Sequence, residues 1–330
     1  MYDRRFVAIM ISGLIYVTGC DSSGGGGTTD VADYPAKTVT LVCPWAAGGG
    51  TDRVSRFWAE ALQSEFGQPF VVVNKTGGSG AVGHSAGAFA RPDGHTLTTI
   101  TAELSTMHRM GITDITHANF HGILQMNADA AAIIVGPDAR WKTLEELLDY
   151  IKQNPGKLKM SGTASGGWWD LARAGLLHAA GLPVDSIIWV PTKGSAPSLV
   201  ELLGGHIDAV CCSLPEAATQ IEAGQLVPLV VMSDERLADF PDVPTAKEAG
   251  VDWTTVGWRG LAVPKDTPPK LLALLEEKCI AIAHSDAYKE FMRKNSFGIT
   301  IRGSDEFTQF LEEQDEMWQP VVAAAGYAKE

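Results

Sequence analysis

Basic charge is scarce in this chain. Its 330 residues include 26 Lys and Arg against 39 Asp and Glu, a formal net charge of −13. A net charge of that sign argues against a basic face able to replace the counterions of a phosphate backbone, and so against nucleic acid as a partner. The chain is also repelled by anionic membrane surfaces. Cysteine is scarce too, with five residues and no Cys-x-x-Cys spacing, so neither a zinc module nor a dithiol redox motif is encoded. Of the eight His, His117 and His121 share a helical spacing but have no third ligand implied, and no metal or cofactor is expected. No segment repeats at a fixed period, which sets solenoids aside. No apolar run reaches the ~20 residues that span a bilayer.

What is present begins with an address. Arg4 and Arg5 precede a short apolar core, 6–16, and Val17-Thr18-Gly19-Cys20 looks like a bacterial lipobox. On that reading 1–19 is a lipoprotein signal peptide and Cys20 carries the lipid. Residues 20–33 then form a Gly/Ser tether, whose ~13 residues of coil after Cys20 reach about 20 Å. Removal of Asp3, Arg4 and Arg5 takes the net charge from −13 to −14. Asp21 follows the lipidated residue, and by resemblance to other lipoproteins it implies retention at the inner membrane of a Gram-negative host. The protein is expected outside the cytoplasm, in the periplasm or on the outer face of that membrane.

From Tyr34 onward, apolar runs alternate with amphipathic stretches, the pattern of an α/β protein. Strands are expected over 38–43, 70–73, 96–101, 131–135, 186–190, 207–212, 227–232 and 260–263. Helices are expected over 53–66, 82–90, 144–153, 168–180, 195–203, 268–284 and 304–324. The last helix shows Phe307, Phe310, Leu311, Met317, Trp318, Val321 and Val322 on one stripe. Cys43 and the Cys211-Cys212 pair fall in apolar strand-like runs, so buried free thiols are expected; a Cys43–Cys279 bridge is the less favoured alternative.

Three glycine-rich turns carry the chemistry. The first, Trp45-Ala46-Ala47-Gly48-Gly49-Gly50-Thr51-Asp52, joins a strand to a helix; its glycines let N–H groups converge, and Thr51 or Asp52 can cap the helix. Free N–H groups at such a helix start attract an anion. The second contains Gly77 and Gly78-x-Gly80-x-x-Gly83, with Glu103 after the next strand. This matches a dinucleotide fingerprint on paper, but four residues separate Val73 from Gly78 where the turn should leave the strand directly. The third, Ser161-Gly162-Thr163-Ala164-Ser165-Gly166-Gly167, places hydroxyls and N–H groups before a helix starting at Trp168. As a nucleophile elbow it lacks the usual first glycine.

Taken together, Pro44-Trp45-x-x-Gly48-Gly49-x-x-Asp52, Asn74-Lys75-x-Gly77-Gly78-x-Gly80, Pro92-Asp93-Gly94, Val190-Pro191-Thr192-Lys193-Gly194, Pro241-Asp242-Val243-Pro244-Thr245 and Gly257-Trp258-x-Gly260 resemble the substrate-binding receptors of tripartite tricarboxylate transporters, the Bug receptors. The stretch 162–176 and Trp258-Arg259-Gly260 are closer to the tricarboxylate-type branch than to the amino-acid-type branch. The resemblance implies a two-lobed periplasmic-binding-protein fold, type II-like. Each lobe is a β-sheet flanked by helices, and two crossover strands join the lobes. Lobe one would comprise 34–135 and 259–330, and lobe two 136–258. It further implies a monomer without enzymatic activity that delivers a small carboxylate to the integral membrane subunits of the transporter.

Residue by residue, the resemblance puts Trp45, Ala47, Gly48, Gly49, Thr51 and Asp52 on one ligand carboxylate, with Gly77 and Gly78 nearby. Ser161, Thr163, Ser165, Gly166, Gly167 and Trp168 would face them from lobe two, with Thr192, Lys193 and Ser213 at strand ends. Arg259 is the cation beside the cleft. Gly49 is expected to need a glycine-only conformation or a close approach. Two departures, a missing family His within 161–171 and Cys212 in place of a family Asp, leave the carboxylate unnamed. A secreted hydrolase or nucleotide-dependent enzyme using the glycine turns is the alternative, followed by an interaction lipoprotein without a ligand.

Overall fold

The computed structural model describes residues 33–329; Cys20, the lipobox and the tether up to residue 32 lie outside them. β1 (Val39–Cys43) is β-branched and nearly all buried, as suits a strand covered on both faces. It pairs in parallel with β2 (Phe70–Asn74) and β3 (Thr96–Thr101), Leu41 lying opposite both Val72 and Leu97. Between β1 and β2 runs α1 (Gly50–Phe66), which buries Val54, Trp58 and Leu62 at four-residue spacing and stops at Gly67 in the left-handed region. α2 (Ala81–Ala88) covers β1 and β3.

Two long strands connect the lobes. β4 (Phe120–Val135) runs antiparallel to β9 (Val256–Pro264), from Phe120 opposite Pro264 to Ala130 opposite Val256. From Ala131 onward β4 exchanges β9 for β7 (Ala209–Ser213) on one side and β8 (Val227–Val231) on the other. β5 (Lys159–Ser161) and β6 (Ile188–Trp189) complete one curled sheet, ordered β2-β1-β3-β9-β4-β7-β5-β6 with β8 on β4. Around its second half lie α3 (Leu144–Gln153), α4 (Trp168–Ala179), α5 (Ser195–Leu203) and α6 (Leu214–Glu222). α7 (Pro269–His284) and α8 (Asp286–Lys294) pack on the first half.

The chain then ends in α9 (Ser304–Met317) and α10 (Gln319–Ala324). The single helix expected over 304–324 breaks because Pro320 has no N–H to continue the ladder. Met317 accordingly leaves the apolar stripe at the break and is exposed. Trp318 instead turns inward, its ring centroid 4.1 Å from that of Trp168 on α4.

β4 begins eleven residues before the expected 131–135, since its first part interleaves Gln125 and Asn127 with apolar residues and slips register twice, masking the period of two. α6 and α8 were not foreseen. The first is announced only by Ser213 and Pro215, and the second has a mostly polar sequence. Cys43, Cys211, Cys212 and Cys279 are buried and free, as expected, and burial raises each thiol's pKa, that of Cys43 to about 11. Among the described residues no helix is long and apolar enough to cross a membrane.

Candidate functional site

The turn after β1 is shaped by one residue with a left-handed backbone, Gly48 (φ 84°). Its N–H donates to Asp52 Oδ2 at 2.9 Å, closing the turn onto the first helical turn of α1. Asp52 is itself held by Arg56 (2.9 Å) and by the Asn74 amide (2.9 Å). Burial pushes the Asp52 carboxyl up, but the hydrogen bonds from Arg56, Gly48 and Asn74 outweigh it and hold the pKa below the usual range. Gly49 is the N-cap, with ordinary extended geometry (φ −74°, ψ 172°). The glycine-only conformation expected at Gly49 therefore falls at Gly48. The closest approach falls at Gly50, where a Cβ would lie 2.7 Å from Arg259 Nη2 and 2.8 Å from Glu216 Oε1; at Gly49 it would stand 3.2 Å from Ser195 Oγ.

The turn before α4 has the same plan. Gly166 (φ 72°) donates its N–H to Asp170 Oδ2 at 2.8 Å, and Gly167 is the N-cap (φ −75°, ψ 168°). Asp170 is gripped by Arg173 Nε at 2.8 Å and by the Tyr327 hydroxyl at 2.6 Å. Neither helix has a side-chain N-cap. Their first N–H groups are left for partners from elsewhere.

Those partners come from the opposite lobe. Gly50 N–H donates to Glu216 Oε1 at 3.1 Å, and Trp168 N–H donates to Glu103 Oε1 at 2.9 Å. Each carboxylate sits where the helix dipole favours a negative charge. Glu216 also accepts from Ser195 Oγ (2.7 Å) and from Ser213 N–H at the start of its own helix (3.2 Å). Glu103 accepts from Thr101 Oγ1 at 2.5 Å, and burial pushes its pKa up against these hydrogen bonds. Next in line at the two helix starts, the N–H groups of Thr51 and Trp169 have no hydrogen-bond partner among the described residues.

Between the helix starts lies a cavity of about 40 Å³, lined on one side by Trp45, Gly49, Thr51 and Glu103 and on the other by Thr163, Trp168, Trp169 and Ser195, together with Glu216. β9 contributes Trp258 and Arg259. Arg259 pairs with Asp129 at 2.6 Å, lies 3.6 Å from Glu216, and donates from Nε to Thr51 Oγ1 at 3.0 Å. Burial works against its charge, but Asp129 and Glu216 outweigh it and keep the pKa above the ordinary arginine value. The lobes are drawn shut: Ala46 N–H donates to the Lys193 carbonyl (3.1 Å), Arg53 to the Pro215 carbonyl (2.8 Å) and Ser79 Oγ to the Ser165 carbonyl (2.7 Å).

A chain with two helix starts opposed across a cleft, on a sheet bridged by two long strands, has the architecture of a periplasmic binding protein. Residues 54–327 match the family model described as tripartite tricarboxylate transporter family receptor. The chain belongs to this family. It is similar to the protein BugT of Bordetella pertussis, 29% identical over 89% of this chain and 90% of BugT. A solute-binding protein of the same family from Polaromonas, solved with no ligand, is 34% identical, with a TM-score of 0.64 over 88% of this chain and 99% of that one. R. palustris Rpa4515 with adipate is 28% identical, with a TM-score of 0.81 over 90% of this chain and 99% of that one. The family is one of periplasmic solute-binding receptors.

In this receptor the expected site residues divide into two groups. Trp45, Gly49, Thr51, Thr163, Trp168 and Arg259 line the cavity. The others do not. Ala47, Gly48 and Ser165 form an exposed lip, and Gly77 and Gly78 an exposed turn before α2. Asp52, Gly166 and Gly167 shape the turns. Ser161 donates to the Val190 carbonyl and, with Thr192, contacts Ser198 inside the second lobe. Lys193 offers its carbonyl while its side chain is exposed, and Ser213 positions Glu216. Sequence reasoning missed Glu103 and Glu216 as cleft residues. The signals were an acid just past the end of β3 and the Ser213-x-x-Glu216 spacing that opens a helix.

Proposed function

We propose that the protein captures a small organic acid, a di- or tricarboxylate or a relative of one, between its lobes and delivers it to the integral membrane subunits of a tripartite tricarboxylate transporter. It acts as a receptor and not an enzyme, as a monomer without cofactor, held by a lipid on Cys20 at the periplasmic face of the inner membrane. The observation that carries this reading is the pair of opposed helix starts at the cavity, each with an N–H group, Thr51 or Trp169, still without a partner among the described residues. Such donors bind carboxylate through dipoles without committing a full charge, so release stays possible in a protein whose average field repels anions. The adipate held by Rpa4515 supports it.

We further propose that the lobes, 34–135 with 259–330 and 136–258, open about β4 and β9. The ligand-free Polaromonas relative is the more similar in sequence yet overlays less well than the adipate-bound one, which suits two bodies that change their mutual angle.

One preparation tests the reading. The native chain partitions with membranes and Cys20→Ser is soluble; the soluble form then melts higher with at least one of adipate, malate and citrate. Saturation at 100 times Kd adds about 2.7 kcal/mol. A Cys20→Ser protein that stays membrane-bound removes the anchor. No shift with any of the three at millimolar concentration removes the carboxylate reading.

A further inference from the structure

We infer that Tyr327 is a positioning residue for the solute site, which it serves from outside the cleft by holding Asp170 and, through it, the Gly166–Gly167 turn at the start of α4. That role rests on the reading of the cleft as the solute site, and concerns how the second helix start is aimed. Asp170 shapes the turn. Its Oδ2 accepts the Gly166 N–H at 2.8 Å, and the left-handed Gly166 (φ 72°) leads the chain into the Gly167 cap. The same oxygen accepts the Tyr327 hydroxyl at 2.6 Å, while Oδ1 takes Arg173 Nε at 2.8 Å. Asp170 is wholly buried, so bulk water does not replace a partner lost there. Burial and the Asp170 charge hold the Tyr327 pKa well above the ordinary tyrosine value, so the hydroxyl keeps its proton and donates.

Tyr327 reaches Asp170 because the segment that carries it crosses between the lobes. α9 is seated on the first part of β4, where Ser304 Oγ donates to the Gly122 carbonyl at 2.6 Å. After the break at Pro320, α10 lies on α4 of the second lobe, and Val321, Ala324 and Ala325 share a small apolar cavity with Ala174, Gly175 and Trp253. Gly326 (φ 73°) ends α10, and the Tyr327 N–H returns to the Val322 carbonyl at 3.0 Å. Two residues on, the Lys329 N–H donates to the carbonyl of Arg109 in the first lobe at 3.1 Å. The Arg109 guanidinium in turn reaches Asp315 on α9 (3.0 Å) and Gln319 on α10 (3.1 Å). The tail is thus pinned to one lobe at Lys329 and to the other at Tyr327, which ties the Gly166 turn to the geometry between the lobes. In the first turn, Asp52 takes the corresponding extra partner, Asn74, from β2 of its own lobe. The second turn borrows its extra partner from the segment after α10.

Two measurements on the lipid-free Cys20→Ser protein at pH 7 test the role: amide hydrogen exchange read by mass spectrometry, and calorimetric titration with adipate, malate and citrate. Tyr327→Phe keeps the ring and removes only the hydroxyl. It should speed exchange of the amides in 164–171 about tenfold or more, leave those of the first turn, 46–54, unchanged, and weaken the tightest-binding of the three solutes about tenfold or more, the scale of one hydrogen bond to a charged group. Tyr34→Phe, which removes a hydroxyl bond to the Gly94 carbonyl on the chain before β1, should change neither readout. Unchanged exchange over 164–171 in Tyr327→Phe overturns the assignment, whatever the solutes do. Faster exchange with unchanged affinity shows a hydroxyl that only stabilises the fold, and overturns it too. Equal losses of affinity in Tyr34→Phe and Tyr327→Phe would show a general loss of stability and also overturn it. If no solute binds the parent protein, the carboxylate reading fails and takes the solute role of Tyr327 with it, while the exchange result still separates a hydroxyl that holds the turn from one that does not.

Discussion

The turn from Gly48 to Asp52 and the turn from Gly166 to Asp170 lie in different lobes and follow one plan. In each, a left-handed glycine donates to an aspartate four residues on, a second glycine caps the helix, and a glutamate from the opposite lobe takes the first helical N–H. They differ in what surrounds that plan. Asp52 pairs with Arg56, whose side chain is 54% exposed, whereas Asp170 pairs with Arg173, 4% exposed. The residues after the cap are Gly50 and Thr51 in one and Trp168 and Trp169 in the other. Gly50 is small because Arg259 and Glu216 press on it; Trp168 is large and packs against Trp318, the two rings tilted by 58°. A five-residue backbone device thus recurs while its neighbours set its energetic weight.

The largest expected effect separates the two aspartates. Asp170→Asn should cost about 3–5 kcal/mol, because it leaves a buried guanidinium without its carboxylate. Asp52→Asn should cost only about 1–2 kcal/mol, since water solvates the Arg56 it releases. Urea unfolding of the two variants measures both, and a larger loss for Asp52→Asn would overturn the ranking.

A smaller effect tests what the turns share. Gly48→Ala and Gly166→Ala each force a Cβ into the left-handed region, at about 1–2 kcal/mol. Position 166 should cost slightly more, since its Cβ meets Met110 Sδ at 3.0 Å while that of position 48 has nothing nearer than 3.9 Å. If either substitution is neutral in thermal unfolding, the two turns do not share a strained glycine.

The smallest effect concerns pH. Burial holds the Glu103 carboxyl above its unfolded range, so the folded chain binds that proton more tightly than the unfolded one. Its contribution to stability is present below the ordinary glutamate value of 4.5 and fades as pH rises through the raised value. Glu103→Gln should therefore flatten the decline in melting temperature above pH 4.5. His84, pushed down to about 4 by burial, acts in the opposite sense as pH falls below 6.5, and does so equally in both proteins. Parallel melting curves across pH 4.5–8 would show that Glu103 does not titrate in this way.

Much of the fold was legible because local rules and tertiary outcome agreed. β1, β3, α3 and α5 match the segments expected from period and composition to within a residue. The glycine turns were legible as turns for the same reason, although the left-handed residue of the first is Gly48 and not the expected Gly49. Legibility failed where a residue's role depends on what lies across the cleft. Ser161 and Thr192 carry hydroxyls suited to a ligand, yet they hydrogen-bond within their own lobe. Glu216 could be read as a helix-start residue, and it is one; that it also reaches Gly50 is a property of the closed cleft.

The sequence by itself determined the alternation of strands and helices, the glycine-rich turns before two helices, and the acidic charge that argues against nucleic acid as a partner, because each follows from backbone sterics, periodicity or a sum of charges. Only the tertiary structure decided that Glu103 and Glu216 stand on opposing helix starts, that Asp129 matches Arg259, and that Trp318 returns to pack on Trp168. Those pairings join residues far apart in the chain. Their strength comes from the removal of water where β4 and β9 bring the lobes together, which no local pattern of residues records.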